Sequence, residues 1–182
     1  MAGSSQRIGA NSSATCVIKK ADDFCTMEYF FDTSAFIKAL RVEAGSAWVL
    51  RTLRDPKNHL YVSRLVVPES FSVLGRLWRA GQLTQAERDT TAILLLQLIR
   101  HRRMHVRSVT NQISDAAGHL ALTLIAPQYP QFALRALDAT QLATAVDVRQ
   151  AVPHLIFACA DARLITLAQI AGQQVIDPTA QP

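Results

Sequence analysis

Short apolar runs that stop at a polar or acidic residue, each followed by a longer stretch of helical periodicity, recur along most of this chain and limit it to few architectures. Glu28-Tyr29-Phe30-Phe31-Asp32 reads as a buried strand ending in an acid, and residues 59–62, 104–107, 155–159 and 174–176 read as further strands. Between them lie helical patterns: one from Ser34 with Phe36, Ile37 and Leu40 on one face, one over 44–54 closed by Asp55-Pro56, and one capped by Ser63 and reaching Arg79. After Gly81 come a long helix over 84–101 carrying Ile93, Leu94, Leu96 and Leu98, and helices over 112–125, 136–148 and 162–171. Strands alternating with helices predict an α/β fold, a central parallel sheet flanked by helices on both faces.

With 182 residues, about half of them apolar, the chain is long enough for one domain with a sizeable core. Residues 1–26 are rich in Ser, Ala, Asn and Gly without apolar periodicity, and read as a flexible N-terminal extension to a domain over 27–178, with 179–182 as a C-terminal tail. The apolar run 92–99 meets Arg100 and is too short to span a bilayer, and the first residues lack a signal-peptide pattern. The expectation is a cytoplasmic protein with no membrane partner. Three cysteines, Cys16, Cys25 and Cys159, have neither disulfide-framework nor zinc-site spacing, and Cys159, inside the run 155–160, reads as a small buried hydrophobe. The net charge is +5. Residues 100–107 hold four arginines and two histidines, a cluster that would suit either a phosphate backbone or the solvated end of a helix.

Four acids stand out by position. Asp32 and Asp161 each follow a strand and precede a helix, which puts them at the carboxyl edge of a parallel sheet, where such folds open a crevice. Asp138 opens a helix, and Glu69 lies within one. Each aspartate is also suited to cap its helix, and Asp138 with Gln141 fits a capping box. Brought together, four carboxylates would repel unless a cation neutralised them, and hard oxygen donors suit Mg²⁺ or Mn²⁺.

The blocks around these acids resemble a known family. Phe30-Phe31-Asp32-Thr33-Ser34-Ala35-Phe36 resembles the opening motif of PIN domains, in particular those of VapC-type toxins. Val62-Ser63-Arg64-Leu65-Val66-Val67-Pro68-Glu69 resembles their second motif, Leu137-Asp138-Ala139-Thr140-Gln141-Leu142-Ala143-Thr144-Ala145 the third, and Ala158-Cys159-Ala160-Asp161-Ala162-Arg163-Leu164 the fourth. Ala171-Gly172 and Asp177-Pro178 are similar to the close of the domain. The likeness covers residues 27–178. It implies a PIN-like fold and a Mg²⁺-dependent endoribonuclease (Mn²⁺ as substitute), the toxin of a toxin–antitoxin pair. Asp32, Asp138 and Asp161 would ligate metal, Glu69 would contact it through water or orient the attacking water, and Ser34 would bond a ligand carboxylate or a metal-bound water. Implied partners are RNA, a VapB-like antitoxin and a second copy of the chain, with Arg41 and the 100–107 cluster as candidates to steer RNA. The alternatives are a PIN-type nuclease of RNA processing and an RNA-binding PIN protein without activity. Two positions depart from the family pattern: Pro68, expected to bend its helix before Glu69, and Cys159, where a hydroxyl is more usual.

Overall fold

The computed structural model describes residues 26–100, 103–127 and 130–182. The expectation for residues 1–26 therefore lies outside the described residues, except for Thr26. Five strands, β1 (Glu28–Phe31), β2 (His59–Ser63), β3 (His105–Arg107), β4 (Ile156–Ala158) and β5 (Gln174–Ile176), form one sheet in the order β3-β2-β1-β4-β5. Every pairing is parallel. Parallel neighbours need helical crossovers, and the chain supplies them. α1 (Thr33–Phe36), a 3₁₀ turn (Ile37–Ala39) and α2 (Ser46–Arg54) join β1 to β2; α3 (Val66–Arg79) and α4 (Gln85–Arg100) join β2 to β3. α5 (Asn111–Thr123) and α6 (Ala136–Ala151) lead to β4, and α7 (Ala162–Ile170) to β5. This is the α/β fold expected from the alternation. The chain builds outward from β1 through β2 and β3, then crosses to lay β4 on the other side of β1. The switch point falls between β1 and β4, where the flanking connections diverge and leave a crevice at the carboxyl ends of the strands.

Alternating side chains fill both faces of the sheet. Phe30 and Phe157 stack at 5.8 Å on one face, in a core with Ile113, Leu142, Leu164 and Leu167. Tyr29 and Phe31 point the opposite way, into a core with Trp48, Val49, Val66 and Leu95. Each fully buried Phe contributes on the order of 2–3 kcal/mol through removal from water. Gly45, before α2, has φ 86°, and a Cβ there would lie 2.7 Å from the Pro178 carbonyl carbon and oxygen, so only glycine fits. The last residues lie over α2, where Arg51 donates to the Pro182 carbonyl at 2.6 Å.

Several local expectations are corrected. α3 begins at Val66 after Leu65, so Ser63 does not cap it; its hydroxyl accepts from Leu65 N at 3.3 Å in the turn between strand and helix. Pro68 consequently sits in the first turn, where backbone N–H groups have no intrahelical acceptor and proline removes no bond. The helix runs on through it, with Glu69 N bonded to the Leu65 carbonyl at 3.1 Å. α6 starts at Ala136 with Arg135 in the cap position, so Asp138 is its third residue and forms no capping box with Gln141, which points into the core. In α4 the buried residues are Leu95 and Ile99, whereas Ile93 and Leu94 are exposed, because the helix meets the sheet on a narrower face than its run of leucines suggested.

Candidate active site

Each of the four acids is placed by the start of a helix. Asp32 comes directly after β1 and caps α1: its Oδ2 accepts from Ser34 N at 3.0 Å and from Ser34 Oγ at 2.6 Å. Ser34 Oγ also accepts from Ala160 N at 2.9 Å, tying the ends of β1 and β4 together across the switch point. Asp161, three residues past β4, caps α7 through Oδ1, which accepts from Arg163 N and Leu164 N at 2.9 and 3.2 Å. Asp138 lies in the first turn of α6 and Glu69 in the first turn of α3. For Asp32 and Asp161 capping and site membership are thus the same geometry, not rivals. All four carboxylates and Ser34 line one cleft of about 640 Å³ at the carboxyl edge of the sheet.

The electrostatics explain how so many acids are tolerated. The positive ends of α3, α6 and α7 face the cleft, each favouring a nearby carboxylate by about 0.3–1 kcal/mol. Arg135 is the local cation. Its Nε donates to Asp138 Oδ2 at 2.7 Å, and its Nη2 lies 3.9 Å from Asp161 Oδ2. The hydrogen bond and charge of Asp138 first, then the charges of Asp161 and Glu69, hold the Arg135 pKa above the ordinary arginine range. Asp32 is only 4% exposed. Burial pushes its carboxyl up to about 6, with the bonds from Ser34 pulling the other way and the negative charge of Glu69 adding to the rise.

A hard divalent cation suits this donor set in kind: four carboxylates and a hydroxyl, with no histidine among the described residues that line the cleft. Among the described residues, no three acid, His or Cys side chains stand close enough to hold an ion with their present rotamers. The carboxylates are turned onto protein donors instead: Asp32 onto Ser34, Glu69 onto Thr33 and Gln141, Asp138 onto Arg135, Asp161 onto its own helix. Asp32 is a buried carboxylate without a cation at bonding distance, which is the environment that a divalent ion would relieve.

The structure also sorts the other candidates. Arg41 lines the cleft, together with Lys38 and Arg76, which sequence reasoning had not singled out. The described residues of the 100–107 cluster do not line it. Arg103 donates to the carbonyls of Leu53 at 3.0 Å, Asn58 at 2.9 Å and Asp55, fastening the end of α2, and Arg107 pairs with Asp147 on α6 at 2.7 Å. His101 and Arg102 lie outside the described residues. Cys159 is buried but is no inert hydrophobe: its Sγ stands 3.5 Å from Asp32 Oδ2 and 3.6 Å from Ser34 Oγ, and it accepts from Asp161 N at 3.4 Å. Burial first, then the charge of Asp32, raises its thiol far above the ordinary range, so it stays protonated. Sequence reasoning missed Thr33 and Arg135 as neighbours of the acids, and paired Gln141 with Asp138 instead of with Glu69. A signal for Gln141 was its spacing, one helical turn beyond Asp138.

With the geometry in place, comparisons with known proteins agree on one family. The PIN-domain family model matches residues 29–171. The chain is 33% identical to the ribonuclease VapC45 of Mycobacterium tuberculosis over 158 residues, covering 84% of this chain and 97% of that one. Among solved structures it is similar to VapC20 of Mycobacterium tuberculosis, described as a toxin that cleaves the sarcin-ricin loop (TM-score 0.56, 17% identity, 85% of this chain and 99% of that one). It is also similar to a chain of DNA-bound VapBC from Salmonella typhimurium (TM-score 0.53, 14% identity, 84% and 99%). Among the described residues, no helix is long and apolar enough to cross a membrane.

Proposed function

The chain belongs to the PIN-domain family, and we propose that it is a metal-dependent endoribonuclease of the VapC toxin type, held in check by a VapB-like antitoxin. One observation carries the catalytic part: Asp32, Glu69, Asp138 and Asp161, drawn from four separate elements, line the same cleft at the switch point of the sheet. Capping alone requires no such convergence. The toxin and antitoxin parts are supported by the VapC relative and the VapBC structure. A homodimer and an RNA substrate are further parts of the same proposal.

Asp32, Asp138 and Asp161 are the residues that would hold Mg²⁺ or Mn²⁺. When bound, the ion supplies a Lewis acid that lowers the pKa of water and offsets charge on the transferring phosphoryl group. The protein does the rest. Ser34 fixes Asp32 by its hydroxyl and backbone N–H. Glu69 accepts a hydrogen bond from the attacking water and aligns it with the phosphorus. Arg135, with a side chain 69% exposed, is free to turn from the carboxylates to a phosphate oxygen. Arg41 and Arg76 line the cleft as contacts for flanking phosphates, whereas the buried Lys38 is paired with Glu43 at 3.1 Å.

The test is cleavage of defined RNA oligonucleotides by the purified chain with Mg²⁺, with Mn²⁺ and with EDTA. Metal-dependent cutting, suppressed by the product of a neighbouring antitoxin-like gene, is the expected result. Cutting that EDTA leaves untouched would overturn the metal assignment, and no cutting of any RNA would overturn the reading as a whole.

A further inference from the structure

The carboxylate of Glu69 is held by side chains from two other helices at once. Thr33 Oγ1, at the start of α1, donates to Glu69 Oε2 at 2.5 Å. Gln141 Nε2, on α6, donates both to the same Oε2 and to Thr33 Oγ1, the latter at 2.9 Å. The three side chains form a closed ring of hydrogen bonds that spans α1, α3 and α6 and ends on one oxygen. Gln141 is fully buried and Thr33 is buried, so the ring is largely shielded from water on the side away from the cleft. Among the described residues no hydrogen bond reaches Oε1 of Glu69.

The arrangement has a cost that stability alone does not explain. The other atom of the Gln141 amide, Oε1, is buried without a hydrogen-bond partner, and unpaired buried acceptors are rare because they forfeit their hydration. Reversing the amide would set this oxygen against the Glu69 carboxylate and remove the donor the carboxylate needs, so the observed orientation follows from the acid. A buried polar group left incomplete beside a candidate site marks a residue kept for what it positions.

We propose that Gln141 and Thr33 are positioning residues for Glu69: together they lock Oε2 and leave Oε1 alone to engage the attacking water. This rests on the nuclease reading above. Neither residue touches the substrate or the water in this scheme.

The experiment uses the full chain with Gln141→Met and Thr33→Val, which keep size but remove the donors, Thr33→Ser, which keeps the hydroxyl, and Glu69→Gln. Gln141→Met is expected to lower kcat for RNA cleavage about 10- to 100-fold, the range found for residues that orient a ligand or general base from behind, with KM unchanged. Its melting temperature should not fall, since the unpaired oxygen leaves with the amide. Thr33→Val should lower kcat less, and Thr33→Ser should restore it. In the Glu69→Gln background, Gln141→Met should cost nothing further, because the residue acts through Glu69. The ¹³C NMR shift of the Glu69 carboxyl carbon, read without metal, should move in Gln141→Met. A wild-type kcat in Gln141→Met, an additive loss in the double variant, or an unmoved carboxyl shift would each overturn the proposal. An unmodified chain that cuts no RNA would sink the nuclease reading instead, while the shift still decides whether Gln141 holds Glu69.

Discussion

Two regions drew attention in the sequence for opposite reasons, and the fold reversed their ranking. Residues 100–107 concentrate cations in eight consecutive positions, whereas the four acids are scattered over 130 positions between Asp32 and Asp161. Of the concentrated set, Arg103 is spent on three backbone carbonyls and Arg107 on Asp147. The scattered set converges on one cleft, because parallel strands deliver their carboxyl ends, and the helix starts that follow, to a single edge. Nearness in sequence measures how a segment is charged. Nearness in a parallel sheet is set by which end of each strand a residue occupies.

The largest expected effect tests the convergent side. Asp138→Asn retains a polar side chain at the head of α6 but removes the charge a hard ion requires, and the same holds for Asp32→Asn and Asp161→Asn, where Asn also caps nearly as well as Asp. Each should lower Mg²⁺-dependent RNA cleavage by at least about 100-fold with the fold intact by circular dichroism. Full activity in any one of them removes that residue from the site.

Next in size is the dispersed side. Arg103→Ala takes three hydrogen bonds, two part-buried and one exposed, from backbone carbonyls at and just beyond the end of α2, and losing such bonds to a charged donor costs about 1–3 kcal/mol. A urea melt should show that loss, while RNA binding keeps its salt dependence. A flattened salt slope with unchanged stability would return the cluster to the RNA-binding role expected from sequence.

Metal-free stability against pH probes the cleft without catalysis. The Asp32 carboxyl stands at about 6 in the folded chain against 3.8 in its ordinary state. The folded state therefore binds this proton more tightly than the unfolded one. Its contribution to stability is full below pH 4 and is lost as pH rises through about 6. In EDTA at pH 7, Asp32→Asn should stabilise the chain by up to about 3 kcal/mol, the value of two pKa units, and the gain should shrink as pH falls through about 6 and vanish below pH 4. A gain that does not depend on pH would mean that the charge of Asp32 is not its source.

The smallest effects separate the arginines. Arg41→Gln and Arg76→Gln should each reduce the salt slope of RNA binding by about one unit, if each neutralises one phosphate. Arg107→Gln should leave the slope alone and cost under about 1 kcal/mol, as exposed ion pairs do. Loss of slope on Arg107→Gln with none on Arg41→Gln would invert the comparison.

Much of this protein was legible in its sequence, since the signals involved are local. Short apolar runs and helical patterns placed five strands and the major helices to within a few residues, because burial of a sheet's strands and of one stripe on each helix imposes those patterns on any chain. Strand-then-acid order put Asp32 and Asp161 at the sheet edge, and their capping bonds follow from position alone. The tertiary structure decided what depends on elements far apart in the chain. The start of α6 made Asp138 a partner of Arg135 instead of a cap, and the packing of α6 on α1 and α3 brought Gln141 and Thr33 onto Glu69. The proximity of α2 to β3 took Arg103 away from any ligand. A hydrogen bond spanning 108 positions has no counterpart in local periodicity, since it exists only once the sheet has set the distance between the elements that carry its two ends.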